Sequence, residues 1–281
     1  MMSRCLFIIF SFLLMSVAQA QTEKVKKLEA EGDTLLRHED FNGALKVFAK
    51  ILKSHKEKDQ FYYSVIYKKA VSLYSVQKLD EALGAIDEFI PAYPNSPQPY
   101  LLKAFIFREK GDAAGQLTNI DEALKRQPGA PDLIKWRAML YLDEEKFDLA
   151  KKDLKQVKLY QDDAEVETYL GFAYYNTNQS DSAFISLKNA MELDVTYQLA
   201  YLYAGSFSLQ NEDYDMALTY LNLALRLDPK NYTVIFYKGI ALIEKEKIDE
   251  GCSCLAKAFY TGKVDDAGDY LKQHCYGEEN E

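Results

Sequence analysis

Self-similarity at a fixed period constrains this chain more than any other feature. Ala183, Leu187 and Ala190 recur as Ala217, Leu221 and Ala224, 34 residues further on. Gly171 and Gly205 each stand twelve residues ahead of the first alanine of these sets. The same offset joins Gly32 to Ala44, Ala70 to Ala82, Ala138 to Ala150 and Gly239 to Gly251. Pro94 and Pro128 lie one period apart and close two of the segments. A period of this size means that one supersecondary unit is copied along the chain, each copy burying the apolar face of the last. Spacings of three and four between apolar residues make the units helical. Antiparallel helices approach closely only where side chains are small. Gly205 is therefore expected to meet Ala217 and Ala224, with Tyr201 and Leu221 filling the wider flanks. Asp228-Pro229 and Tyr93-Pro94 stop second helices, because proline disfavours helical geometry in the residue before it. Asn178-Gln179-Ser180-Asp181 and Asn211-Glu212-Asp213 mark turns within units.

These positions resemble the tetratricopeptide repeat, whose unit carries a small residue on helix A and two on helix B. An aromatic residue precedes helix B and a proline follows it. The unit ending at Pro229 shows Tyr201, Gly205, Tyr214, Ala217, Leu221 and Ala224 in this order. The unit before it has Gly171, Tyr174, Ala183, Leu187 and Ala190. Seven units in register run from about Val25 to Thr261. The resemblance implies an all-α, right-handed superhelical solenoid of about seven helix pairs over 21–262, with a capping helix and short acidic tail over 263–281. Three departures stand out. About four extra residues around His55 to Tyr62 predict a looser joint. Gln116 replaces a small residue and predicts a slightly splayed third pair. Val157 replaces the second alanine of the fourth unit, which lacks a closing proline.

The N-terminus predicts a leader over 1–20. Arg4 precedes an apolar run from Leu6 to Val17, and Ala18-Gln19-Ala20 supplies a small-x-small cleavage site near Ala20. The run is too short for a membrane span of roughly 20 apolar residues. Cys5 lies far upstream of the cleavage point, so no lipid anchor is expected. The expectation is an exported chain starting at Gln21, periplasmic or secreted, with no direct membrane insertion. Losing Arg4 takes the formal charge from −9 to −10. So acidic a surface repels phosphate backbones, and no nucleic-acid partner is expected. Acidity of this kind serves solubility, steering of a basic partner, or both.

Beyond Ala258, Val264, Ala267, Tyr270 and Leu271 share a helical face suited to a terminal cap. Cys252 and Cys254 are two apart on a helix and so point about 200° apart. Cys252 follows the small Gly251, on the side that faces the next helix, and is paired here with Cys275; Cys254 is left free. A redox site is disfavoured because such motifs space their thiols Cys-x-x-Cys. The C-terminal stretch looks like the ends of many exported repeat proteins of Bacteroidota-type bacteria.

No catalytic constellation is legible, and neither an enzyme nor a cofactor is expected. His38 falls in a turn, His55 in a loop and His274 near the chain end, none beside a nucleophile or at metal-ligand spacing. There is no phosphate-binding glycine loop. Glu144-Glu145 and Asp162-Asp163 read as solvated turns, and the sequons at Asn178 and Asn231 matter only in a eukaryotic secretory pathway. The family resemblance instead implies a peptide-binding groove along the A helices. Carried over by phase, its lining is Tyr67, Val71, Tyr74, Leu101, Phe105, Arg108, Lys135, Met139, Leu142, Thr168, Phe172, Tyr175, Leu202, Ser206, Leu209, Phe236, Ile240 and Ile243. The asparagine sites of the family's carboxylate clamp carry Asp33, Val71, Phe105, Met139, Phe172, Ser206 and Ile240 here, so a C-terminal acidic tail is not the expected ligand. The implied partner is another protein or peptide. Two roles remain open: a scaffold or adaptor with a defined partner, and an assembly factor or chaperone for outer-membrane or surface proteins.

Overall fold

The computed structural model describes residues 23–276; the expected leader over 1–20 and the tail over 277–281 lie outside them. Every regular element among the described residues is helical. They divide into two compact units, one ending at Ala130 and the other beginning at Pro131. The first unit holds α1 (23–37), α2 (Phe41–Ser54), α3 (Gln60–Ser75), α4 (Leu79–Phe89), α5 (Gln98–Glu109) and α6 (Ala113–Arg126). The second holds α7 (Pro131–Asp143), α8 (Phe147–Lys158), α9 (Ala164–Tyr175), α10 (Ser180–Leu193), α11 (Gln198–Gln210), α12 (Tyr214–Leu227), α13 (Tyr232–Glu244) and α14 (Ile248–Ala256). A π-helical turn (Lys257–Thr261) then leads to α15 (Asp266–His274). Odd-numbered helices up to α13 are the A helices, and each even-numbered successor is its B partner.

The periodic small residues close each pair. Ala44, Ala82, Ala150, Ala183 and Ala217 are fully buried, as are Leu154, Leu187, Leu221 and Leu255. Burying one such leucine contributes about 1.5–3 kcal/mol. Leu221 packs directly over Gly205: a Cβ built there would lie 2.7 Å from Leu221 Cγ, so the leucine expected on a wider flank fills the space over the glycine. Gly171 stands in the same relation to Leu187, and Gly239 to Leu255. Side chains on a helix lean toward its N-terminus, which carries Leu221 across the contact.

Each A-to-B turn uses one backbone device. Glu39, Gln77, Gly111, Glu145, Asn178, Glu212 and Glu246 all have positive φ, between 57° and 70°. At each, the residue's own N–H bonds back three positions and the next N–H bonds back five. In the sixth pair these are Glu212 to Leu209 (3.0 Å) and Asp213 to Ser208 (2.9 Å). This is a Schellman cap, which satisfies carbonyls left open at the helix end. The left-handed conformation costs a non-glycine residue about 1–2 kcal/mol, yet only Gly111 of the seven is glycine. Glu212→Gly should therefore stabilise the protein by about 0.5–1 kcal/mol after the greater unfolded-state freedom of glycine is subtracted. A urea midpoint that fails to rise would sink this reading of the turn. Asp40, Asp112 and Asp213 then cap the following B helices through the N–H groups of Gly43, Gly115 and Met216.

The looser joint expected around His55 to Tyr62 does not form. Helix α3 runs for 16 residues, and the extra residues become an additional N-terminal turn. Asp59 caps it by accepting from Tyr62 N–H at 2.8 Å and is braced by His55 at 3.0 Å. Gln116 is buried in the third pair, as a small residue at this position would be. In the second unit, Cys252 and Cys275 are disulfide-bonded with Cα atoms 5.7 Å apart, tying α14 to α15. Cys254 is free and half-buried, and burial raises its thiol pKa.

Candidate functional site

In the first unit, six of the groove positions assemble on α3 and α5. Tyr67, Val71 and Tyr74 are half-buried and pack against the core shared by α3, α4 and α5. The Tyr67 ring lies 5.2 Å from that of Phe89, and its hydroxyl donates to the Gln98 carbonyl at 3.4 Å. Burial raises the Tyr67 phenol pKa. Tyr74 meets Phe105, ring centroids 6.4 Å apart, and the Arg108 guanidinium stands 5.2 Å from the Phe105 ring. Leu101 is half-buried on the same helix, and Arg108 is exposed. An aromatic patch with a cation at its edge results.

In the second unit the stripe divides. Lys135 forms an ion pair with Glu165, and Met139 stays half-exposed. Phe172 and Tyr175 are drawn onto the next A helix: Phe172 lies 4.9 Å from Tyr203, and Tyr175 stacks on Phe207 at 3.8 Å. The Tyr175 hydroxyl donates to Asn211 Oδ1 at 2.9 Å. Leu202 and Leu209 pack half-buried against the core of α12 and α13. Leu142, Phe236 and Ile240 are at most 8% exposed and line no open surface, which corrects the expected groove. Phe236 and Ile240 join Leu255, Ala258, Ala267 and Leu271 in a core that α15 closes. Thr168, Ser206 and Ile243 are buried as well.

The structure adds a row that the carried-over positions missed. Tyr169, Tyr203 and Tyr237 are the sixth residues of α9, α11 and α13, and all three are half-exposed. Each stands two positions before the close-packed glycine, so it lies about 160° round the helix from the B partner. Their sequence signal was available, since the three tyrosines are spaced by the repeat period of 34 residues. Burial, then the charges of Tyr169, Tyr237 and Asp143, push the Tyr203 pKa up to about 12. Tyr169 is raised by burial and by Glu165 and Asp143, with Lys135 opposing. Tyr237 is raised by burial, Asp266 and Tyr270. These hydroxyls stay protonated throughout the physiological range. Among the described residues no group of three or more His, Cys, Asp and Glu is placed to hold a metal, and no helix is long and apolar enough to cross a membrane.

Two family models for the tetratricopeptide repeat match this chain, over residues 29–97 and 197–231. The chain is a tetratricopeptide-repeat protein. Its fold class is accordingly the all-α tetratricopeptide-repeat solenoid. A curated relative, the TPR repeat-containing protein MJ1428 of Methanocaldococcus jannaschii, is 26% identical over 243 residues, covering 80% of this chain. This chain spans only 41% of that relative's length. Among solved structures, the C-terminal part of a TPR repeat-containing protein from Cytophaga hutchinsonii superposes with a TM-score of 0.67 at 18% identity, over 86% of this chain and 98% of that one. A tetratricopeptide repeat protein from Parabacteroides merdae gives 0.64 at 11% identity, over 90% and 99%. At these identities the structural likeness speaks for the fold alone, and the repeat models speak for the family.

Proposed function

We propose that this tetratricopeptide-repeat protein is an exported scaffold or adaptor that holds a partner polypeptide on the A-helix faces of its units and catalyses nothing itself. The observation that carries this reading is the aromatic surface those faces leave half-exposed: Tyr74 with Phe105 in the first unit, and the tyrosine row in the second. Rigid aromatic rings lose little entropy on contact and recur as anchors in polypeptide recognition. The export half of the proposal rests on the leader expected over 1–20, and N-terminal sequencing of the envelope form should begin at Gln21.

Capture tests the binding half. Tagged protein incubated with envelope extract should retain one defined partner, and Phe105→Asp and Tyr169→Asp should each reduce that retention by about tenfold or more, the scale of a lost aromatic anchor. Both positions are half-exposed, so the helical circular-dichroism signal should persist. Retention that survives both substitutions would place the partner elsewhere. Recovery of many unrelated clients in place of one would favour the assembly-factor role.

A further inference from the structure

We propose that the tyrosine row of the second unit takes a cationic polypeptide segment in the polyproline II conformation, with a lysine or arginine at about every third residue, an inference that rests on the binding role above. Tyr169, Tyr203 and Tyr237 occupy one register of three successive A helices and are each half-exposed, with Tyr203 resting on Phe172 and Phe207 and Tyr237 on Phe236. The helices α9 and α11, and α11 and α13, touch directly. Packed helices stand about 8–10 Å apart, and a polyproline II chain advances about 3.1 Å per residue with three residues per turn, so every third side chain returns to the same face about 9 Å further on. One side chain in three therefore meets one ring.

Charge selects the side chain. The face of a phenol ring attracts an ammonium or guanidinium group through its quadrupole. The charge of Asp143 reaches both Tyr169 and Tyr203, that of Glu165 reaches Tyr169, and that of Asp266 reaches Tyr237. Among the described residues the charge of Lys135 reaches Tyr169, and that lysine is already paired with Glu165. Asp143 and Asp266 are exposed. These carboxylates repel an acidic ligand and attract a basic one, through a solvent that salt can screen. The formal charge of −9 on the whole chain adds a longer-range pull of the same sign.

The test is fluorescence anisotropy of the purified chain with labelled peptides of defined pattern. A peptide of Lys-Ser-Ser triplets should bind saturably, and more weakly as salt rises. A Glu-Ser-Ser peptide should not bind. A third peptide, of the same composition as the first but with its lysines gathered at one end, should bind about tenfold more weakly, since only one ring can then be served. Asp143→Asn combined with Asp266→Asn changes exposed residues only and should loosen the triplet peptide by about tenfold with an unaltered circular-dichroism spectrum. Tyr237→Leu should do the same. Equal binding of the gathered-lysine or glutamate peptide overturns the inference, and so does triplet binding that neither variant weakens. Absence of triplet binding, while envelope capture still depends on Phe105 and Tyr169, overturns the inference and leaves the scaffold standing. Absence of both removes the scaffold as well.

Discussion

Alanine in place of Arg137 is expected to cost roughly 3–5 kcal/mol of stability, a large fraction of what holds a domain folded. Arg137 on α7 reaches its B partner with a two-pronged contact. Its Nε donates to Asp153 Oδ2 at 2.7 Å and its Nη2 to Asp153 Oδ1 at 2.8 Å. The Asp153 side chain is only 3% exposed. Removing the guanidinium leaves a carboxylate buried with its neutralising partner gone, and water cannot replace the lost donors. The Arg137 side chain also lies over the Tyr141 ring at 5.8 Å, so some packing is lost with the charge. Urea unfolding followed by circular dichroism measures the effect. Arg137→Met combined with Asp153→Leu separates the two contributions. Replacing both partners by apolar groups of similar size should recover most of the loss, because a buried pair offsets little more than its own desolvation. A cost below about 1 kcal/mol for Arg137→Ala would show that water reaches Asp153 and that the pair behaves as a surface bridge. In a repeat stack the damage should also be local, with amide exchange quickening in α7 and α8 first.

Cys275→Ser is expected to release α15 from the end of the second unit. The disulfide closes a loop of sequence separation 23, for which chain entropy predicts about 3 kcal/mol. The helix it secures has nine residues, too short to persist alone in water. Its own hold is limited: Ala267 and Leu271 are buried, and the Tyr270 ring meets Phe236 at 5.6 Å. Exchange of the α15 amides should therefore rise by about a hundredfold in the variant, the equivalent of that free energy. Reduction of the parent protein should give the same increase, and reductant should change nothing further in Cys275→Ser. Undocking uncovers Phe236, Ile240 and Leu255, so the variant should also associate at high concentration. Unchanged protection of α15 would mean that its apolar contacts suffice without the bond.

Placing Phe172 among the packed rings changes one substitution that the sequence recommends. Read as a groove residue, Phe172→Asp would only block binding. With Tyr203 at 4.9 Å and Phe147 at 5.9 Å, an aspartate there would lose the ring contacts that join α9 to α11 and would loosen the two helices. Tyr169, one period from Tyr203, is the safer probe of the same face.

What the sequence determined by itself is the pairing of helices. Gly171, Gly205 and Ala183, Ala217 recur because two helices can touch only where side chains are small, and that demand is local enough to survive as spacing. Cys252 facing the cap follows from the same phase, since about 100° of rotation per residue separates it from Cys254. The extra turn of α3 was not legible, because the residues around His55 and Asp59 suit a loop or a capped helix equally until the neighbouring core fixes one. Exposure was decided only by tertiary structure. Tyr169, Tyr203 and Tyr237 stand one residue after the carried-over Thr168, Leu202 and Phe236, and that rotation of about 100° leaves them half-exposed where Thr168 and Phe236 are buried. Phe236 and Ile240 carry the same phase as groove residues of earlier repeats, and the cap helix removes them from the surface. A repeat specifies its own helix pair, but what remains open on an A helix depends on the element stacked against it, and that element lies a full period away in the chain.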